Sequence, residues 1–298
     1  MLSRFDQLKQ AVKDMDNKRV AVAAAQSPAT LEAVVMMRRE SFADCVLTGD
    51  EAAIRAWLGD NAPDLTDAFA IHDTGDDICA ACAKAVALVC AGDADLILKG
   101  KGGTADLLRA VLDKEKGLRT GNVLSDVLVY ETPDRLMLMS DGGINLYPEI
   151  KDMASIVNNA VAVAHKMNNP CPKVALLAAV ELVNPKMQCT MDAALLAQMN
   201  QRGQIRGCVV DGPLAFDNAI SPEAARIKGI QSEVAGCADI LIVPNIESGN
   251  IFGKALTYYC KWRVAHVVMG ARVPILIPSR ADAAETKLLS MLLGILCA

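Results

Sequence analysis

The chain of 298 residues is 52% apolar and 22% charged, which places it among globular proteins with a sizeable core and excludes a disordered chain. Only 4% of residues are aromatic, the formal net charge is −5, and no long Lys/Arg block occurs, so neither a nucleic acid nor an anionic membrane is an expected partner. The ten cysteines follow no framework, and five of them (Cys79, Cys82, Cys90, Cys208 and Cys237) sit in apolar sequence, as free buried thiols do in a reducing cytoplasm.

Met1 to Lys13 reads as a mixed polar helix without the apolar core of a signal peptide. Short apolar runs then predict strands at Arg19–Ala25, Asp44–Leu47, Ala68–Ile71, Asp95–Lys99 and Val127–Tyr130. Further runs follow at Leu136–Met139, Val174–Val180, Cys208–Val210, Asp239–Val243, Ala265–Met269 and Ile275–Ile277. Most are separated by amphipathic stretches long enough for a helix, which is the rhythm of βαβ units. The runs are nearly continuous Val, Ile, Leu and Ala, as expected for parallel strands covered on both faces. The fold class is therefore α/β, with mostly parallel sheets.

The region Leu136–Tyr147 breaks that rhythm like a hairpin, and the domain crossing is expected near it. One domain then spans 1–135 plus 272–298, and the other 136–271. This requires the last strand, Ile275–Ile277, to return to the first domain and complete its sheet. The apolar stretch Leu288–Cys297 is too short to span a bilayer and is expected to be buried, in the core or between subunits. A weak echo, AGDADLIL at 91–98 and AGCADIL at 235–241, suggests two helix ends that turn through glycine into strands.

Ligands of open α/β sheets bind at the carboxyl ends of strands, so the loops there are the places to search. After Asp95–Lys99 comes Lys99-Gly100-Lys101-Gly102-Gly103-Thr104. Glycines let backbone amides approach an anion, Thr104 is placed to cap the next helix, and Arg109 is placed to clamp phosphate oxygens. The lysine spacing of a P-loop is absent, while Gly100, Gly102 and Ala105 give a weak GxGxxA dinucleotide pattern. By itself this segment is equally an ordinary strand-to-helix turn.

Asp211-Gly212-Pro213-Leu214 and Pro244–Asn250, the latter with Gly249, Asn250 and then Lys254, also follow strands. Each alone is a common turn; two on neighbouring parallel strands would face one cleft. Pro278-Ser279-Arg280 follows the last strand, where a hydroxyl and a guanidinium can hold and stabilise a substrate oxygen. Cys79-x-x-Cys82 lacks the further ligands that zinc needs, His72, His165 and His266 form no metal spacing, and no GxSxG elbow occurs.

Taken together, LILKGKGGTADLLRAVL (96–112), GLRTGNVLSDV (117–127), the segments 202–229 and 234–259, and PILIPSRADAAETKL (274–288) resemble the phosphate acetyl/butyryltransferase family over essentially the whole chain. NPKMQCTMDAAL (184–195), LRTG and SRADAAETK (279–287) look closer to its butyryl branch.

The resemblance implies two α/β domains of isopropylmalate dehydrogenase-like architecture with the active-site cleft between them. It implies reversible acyl transfer between coenzyme A and inorganic phosphate, so that butyryl-CoA, CoA, phosphate and butyryl phosphate are the small-molecule partners. It also implies a cytoplasmic homo-oligomer, a dimer or a multiple of dimers, with no metal and no resident cofactor. By the same resemblance Thr104 and Arg109 face phosphate or the acyl phosphate, and Gly102 and Gly103 of the glycine turn are expected to bind phosphate beside them. Asp211, Gly249, Asn250 and Lys254, on the loops after the strands at 208–210 and 239–243, are the expected CoA-side residues. Ser279 and Arg280 match the family's Ser-Arg pair, in which the serine positions the reacting group and the arginine stabilises the transition state.

Two positions depart from the acetyl branch. Its catalytic aspartate falls on Thr286, with Glu285 adjacent and Asp282 nearer the serine, so Glu285 is the expected proton relay. Its arginine in the helix before Asp95–Lys99 is missing, since 76–90 holds only Lys84. Phosphate acetyltransferase, an NAD(P)-linked dehydrogenase on a related scaffold and an inactive CoA-binding sensor remain as alternatives.

Overall fold

A computed structural model describes residues 2–279 and 282–298. Eleven strands form: β1 (Lys18–Ala23), β2 (Ala43–Gly49), β3 (Ala70–Asp73), β4 (Leu96–Lys99), β5 (Ser125–Glu131), β6 (Leu136–Ser140), β7 (Lys173–Leu177), β8 (Val209–Leu214), β9 (Ile240–Ile242), β10 (Val264–Met269) and β11 (Ile275–Leu276). Each overlaps one expected from the apolar runs. Eleven α-helices accompany them: α1 (Phe5–Lys13), α2 (Pro28–Arg39), α3 (Glu51–Asn61), α4 (Ile78–Ala91), α5 (Thr104–Val111), α6 (Ile150–Lys166), α7 (Gln188–Gln201), α8 (Phe216–Ile220), α9 (Pro222–Ile227), α10 (Ile246–Lys254) and α11 (Ala284–Cys297).

The chain divides into two compact units, one of residues 6–121 and 265–298, the other of 1–5 and 122–264. The sequence places the crossings at 135/136 and 271/272. The difference has a simple cause. β5 and β6 pair antiparallel, with Leu128 opposite Met139 and Glu131 opposite Leu136. The break in the βα rhythm is thus a hairpin inside one unit, and the chain crosses before it.

In the unit of residues 6–121 and 265–298 the strand order is β3-β2-β1-β4-β11-β10. The first five strands run parallel, and β10 is antiparallel to β11. The return of the last strand is as expected, with Ile275 beside Ile97 and Leu276 beside Leu98. Local chemistry sets the helix ends. Asp50 and Asp77 cap α3 and α4 by accepting from the amides of Ala53 and Ala80. Pro28 opens α2, where a missing N–H costs nothing. Leu289, Leu292 and Leu293 of α11 are fully buried, each worth about 1.5–3 kcal/mol of burial, so the apolar C-terminus belongs to the chain's own core.

In the other unit the order is β5-β6-β9-β7-β8, parallel except for the β5–β6 hairpin. Its core gathers Tyr130, Leu241 and Val243 with Phe252 and Trp262 packed against them, and the rings of Tyr130 and Trp262 stack at 6.2 Å.

Two finer expectations need correction. The echo is half real: Gly92 ends α4 in the left-handed region, but Gly236 stands in a turn that follows no helix. Of the five thiols expected to be buried, Cys82 and Cys208 are, Cys237 is half-buried, and Cys79 and Cys90 are exposed. Cys45 and Cys297 are buried instead. Burial pushes the Cys45 thiol up to about 12 and those of Cys82 and Cys208 to about 11, which keeps them protonated and inert.

Candidate active site

In the unit of residues 6–121 and 265–298, β1, β4 and β11 are neighbouring parallel strands, so their following loops emerge at one edge. There the end of β4 (Lys99, Gly100), the loop after β11 (Pro278, Ser279) and the start of α2 (Ser27, Thr30) line one cleft with about 500 Å3 of empty space, partly open to solvent. The two loops that carry Lys99–Thr104 and Ser279 are thus brought together by register alone.

The glycine turn is held from within. Gly100 and Lys101 donate their amides to the carbonyls of Ala23 and Ala24 at 2.8 and 2.7 Å. Gly102 adopts φ +115°, a conformation that side chains resist. Gly103, not Thr104, is the N-cap of α5; Thr104 is its first helical residue. Asp106 reaches back to accept from the Gly103 amide at 3.2 Å. The amides of Gly100, Lys101 and Gly103 are therefore spent inside the chain. The expected convergence of the turn's amides on an anion does not hold for these three.

The charge at this edge comes from side chains. Lys99 is buried, with its ammonium 3.4 Å from the Gly100 carbonyl and 3.3 Å from that of Gly102. Lys101 pairs with Asp76 at 2.7 Å, and that contact holds the Asp76 carboxyl below its usual range. Arg109 is exposed and lies 3.3 Å from Asp106, one turn back along α5. The sequence reading named Lys99 only as part of the turn. Its signal was the ending of an otherwise apolar buried strand in lysine.

Ser279 and Asp282 are joined by two hydrogen bonds. The Ser279 amide donates to the Asp282 carboxylate at 2.7 Å, and the Asp282 amide donates to the Ser279 carbonyl at 3.2 Å. Asp282 is thus the residue that fixes the serine. The sequence signal was a carboxylate three residues after Ser279, spaced to accept from its amide. Glu285 is exposed in the first turn of α11. Arg280 lies outside the described residues.

In the other unit, Asp211 accepts from the Gly212 amide at 2.8 Å near the end of β8. Gly249 is buried in α10 for a packing reason: a Cβ there would stand 2.7 Å from the Gly142 Cα and 2.8 Å from the Asp141 carbonyl. Asn250 donates to the Gly142 carbonyl at 3.2 Å, and Lys254 is exposed at the end of α10. The loop against which α10 packs is organised by Asp141, which the sequence reading missed. Its buried carboxylate accepts from the amides of Gly143, Ile144 and Asn145 at 2.9, 3.1 and 2.9 Å. Burial raises the Asp141 pKa, Asp126 adds to the rise, and the donated hydrogen bonds oppose it. Asp-Gly-Gly straight after a strand was the signal. Among the described residues no group of three or more His, Cys, Asp or Glu is placed to hold a metal ion.

A mostly parallel α/β scaffold with a cleft at its strand ends, lined by hydroxyls and a buried ammonium, defines a protein of the class that handles small polar ligands. The family model for phosphate acetyl/butaryl transferase matches residues 66–295, and the chain belongs to that family.

A phosphate butyryltransferase of Clostridium acetobutylicum is 46% identical over 300 residues, covering 100% of this chain and 99% of the relative. A phosphate acetyltransferase of Thermotoga maritima is 44% identical, covering 93% and 94%. Among solved structures, a branched-chain phosphotransacylase from Enterococcus faecalis aligns with TM-score 0.82 at 30% identity, covering 94% of this chain and 98% of that one. A 4-hydroxythreonine-4-phosphate dehydrogenase from Salmonella typhimurium aligns with TM-score 0.62 at 12% identity, which shows a shared fold alone. The first three of these are transferases of acyl groups, and the chain is a member of an acyltransferase family. Among the described residues, no helix is long and apolar enough to cross a membrane.

Proposed function

We propose that the protein transfers a butyryl group reversibly between coenzyme A and inorganic phosphate. The observation that carries this reading is that β4 and β11 lie side by side and bring Lys99 and Gly100, which open the glycine turn, to one cleft with Ser279 of the Ser-Arg pair. The Thr104-Ala105-Asp106-x-x-Arg109 segment follows that turn in the chain. The full-length identity to phosphate butyryltransferases supports the butyryl branch. The acetyl reading is the second one, and the Thermotoga maritima relative is the observation that favours it.

In the acyl-phosphate direction a phosphate oxygen attacks the thioester carbonyl, the tetrahedral intermediate collapses, and the C–S bond breaks. The CoA thiolate leaves and takes up a proton. In reverse the thiol sulfur forms the C–S bond as the C–O bond to phosphate breaks. A thiol with a pKa of about 8.5 is only slightly ionised near neutrality, so the reverse step needs a positive field or a base.

The reading gives Arg280 the developing oxyanion and thiolate, gives Ser279 the positioning of the reacting group, and makes Glu285 the proton relay. Gly102, Thr104 and Arg109 attend phosphate, and Gly103, its amide held by Asp106, serves by shaping the turn that opens α5. Asp211, Gly249, Asn250 and Lys254 attend CoA, with Gly249 doing so through the packing of α10. No resident metal or cofactor enters this scheme, since the CoA thioester is itself a substrate. Ten cysteines, each without a disulfide, support a reducing, cytoplasmic setting, and the reading extends to a homo-oligomer.

The test is thiol release from butyryl-, propionyl- and acetyl-CoA with and without phosphate. Phosphate-dependent release that is fastest with butyryl-CoA is the expected result. Arg280→Ala should lose at least roughly 100-fold in turnover, the scale of one preorganised donor. An unchanged rate would remove Arg280 from the mechanism, and a near wild-type rate for Glu285→Gln would remove Glu285.

A further inference from the structure

In the unit of residues 1–5 and 122–264, Lys173 is the first residue of β7, and Cys237 stands in the turn that leads into β9, the strand beside it. The Lys173 ammonium donates to the Cys237 sulfur at 3.1 Å. Both residues are half-buried, which leaves the pair open to a small solute. The acyl-transfer reading gives neither a role.

The backbone builds this contact. The Lys173 amide donates to the Asp239 carboxylate at 2.9 Å, and the Asp239 amide donates to the Lys173 carbonyl at 2.8 Å. Asp239 is tied in turn by Arg135 at 2.8 Å and by Asn169 at 3.1 Å. On the other side, the Cys237 amide donates to the Val234 carbonyl at 3.0 Å, and the Ser232 hydroxyl accepts from the amides of Val234 and Ala235. The two main chains are thus fixed beside one another, and the flexible lysine stem supplies the adjustment that a bond needs.

An ammonium beside a sulfur favours the negative charge that makes sulfur a nucleophile. The contact with Cys237 is also what most raises the Lys173 pKa; burial opposes the rise, and the Asp239 and Glu233 carboxylates add to it. The amine is therefore kept protonated while the sulfur is reduced. Oxidation of the sulfur removes that hold and leaves an amine next to an electrophile.

We propose that Lys173 and Cys237 form a reversible covalent cross-link when the protein meets a peroxide, a sulfur–nitrogen clasp between the starts of β7 and β9. The sulfur attacks the peroxide: the O–O bond breaks, the S–O bond of a sulfenic acid forms, and water leaves. The Lys173 nitrogen then attacks the sulfur. The S–N bond forms, the S–O bond breaks, and the hydroxyl leaves as a second water with a proton from the nitrogen. The sum is thiol plus amine plus peroxide giving sulfenamide plus two waters, with the sulfur losing the two electrons that the peroxide gains. A small thiol reverses it by attacking the sulfur, which frees the amine, and a second thiol releases Cys237.

The test treats the full-length protein with hydrogen peroxide at pH 8, blocks free thiols with iodoacetamide, digests with trypsin without reductant and maps the peptides by mass spectrometry. Trypsin cuts after lysine, and a bonded Lys173 resists it. The expected product joins a peptide left uncut after Lys173 to the peptide of Cys237, lighter than the two together by two hydrogens. Dithiothreitol before digestion should separate them and restore the cut. A joined pair that keeps one oxygen between sulfur and nitrogen, a further peroxide having been reduced to water, supports the same assignment. Cys171 shares the tryptic peptide of Lys173, so a Cys171–Cys237 disulfide would join the same two segments, but with the cut after Lys173 made. That product overturns the proposal. So does Cys237 recovered unmodified, or as sulfinic acid with Lys173 cut. Lys173→Arg keeps a positive charge by the sulfur without the reactive amine, and there Cys237 is expected to go on to sulfinic acid. Equal yields of sulfinic acid in variant and wild type would overturn the trapping step.

Discussion

Asp282 holds the candidate serine in place, and removing its carboxylate should be felt in catalysis before it is felt in stability. The bond is short, 2.7 Å from the Ser279 amide to the carboxylate, and one partner is charged. Hydrogen bonds to charged groups contribute about 1.5–3 kcal/mol, and the exposure of Ser279 argues for the lower end. About 1.5 kcal/mol is roughly a tenfold shift between serine-in-place and serine-displaced conformations, and turnover scales with the former. Asp282→Ala is therefore expected to lower kcat for phosphate-dependent thiol release roughly tenfold, with KM for acyl-CoA moved less than about twofold. Asp282→Asn keeps an acceptor oxygen and should recover to within about threefold of wild type. Stopped assays at saturating phosphate and acyl-CoA measure both. An Asp282→Ala enzyme with more than half of wild-type kcat would show that the Asp282 carboxylate does not position Ser279 for the reaction.

Three further outcomes follow from the packing and the charges. Gly249→Ala forces a Cβ against Gly142, and overpacking of this kind costs about 1–3 kcal/mol. A calorimetric Tm lower by several degrees is expected, at about 2–4 °C per kcal/mol for a chain of this size class, and a shift below 1 °C would refute the contact. The amides of Lys116 and Glu115 hold the Asp113 carboxyl below its usual range. A depressed folded pKa gives stability that is present above the unfolded value, about 3.9, and lost as pH falls through the folded one. Asp113→Asn should thus lower Tm at pH 7 but not near pH 2, and an equal shift at both would deny the linkage. Iodoacetamide at pH 8 should label the exposed Cys79, Cys90, Cys171 and Cys260 well before Cys45, Cys82 and Cys208, as peptide mass spectrometry will show; early labelling of Cys45 would contradict its burial.

The strands were legible because parallel strands buried on both faces must be continuous apolar runs, and all eleven runs became strands. The return of β11 to β4 was legible because an unpaired terminal strand needs an edge. The crossing points were not, because a hairpin and a linker both interrupt a βα rhythm, and only pairing distinguishes them. At the site, Ser279 was found from its place at a strand mouth and from its motif. Lys99 and Asp282 were present in the same segments without a role. One acts through backbone carbonyls across its own turn and the other through a backbone amide, and neither partner appears in a residue code. Asp141 was missed because its carboxylate serves four donors within the loop that it begins and the Asp126 amide fifteen residues back, and most of these are backbone donors that no residue code displays. The thiols show the limit of apolar context: Cys79 and Cys90 lie in an apolar helix, but on its exposed face.

The central claim concerns the fate of the acyl group, and phosphorus NMR follows it directly. The protein is incubated with butyryl-CoA and inorganic phosphate, and the phosphate signal is watched as free thiol accumulates. The account predicts an acyl phosphate resonance that grows in step with thiol and reverts to phosphate when excess CoA is added. Thiol release accompanied by free butyrate, with no acyl phosphate formed, would contradict it.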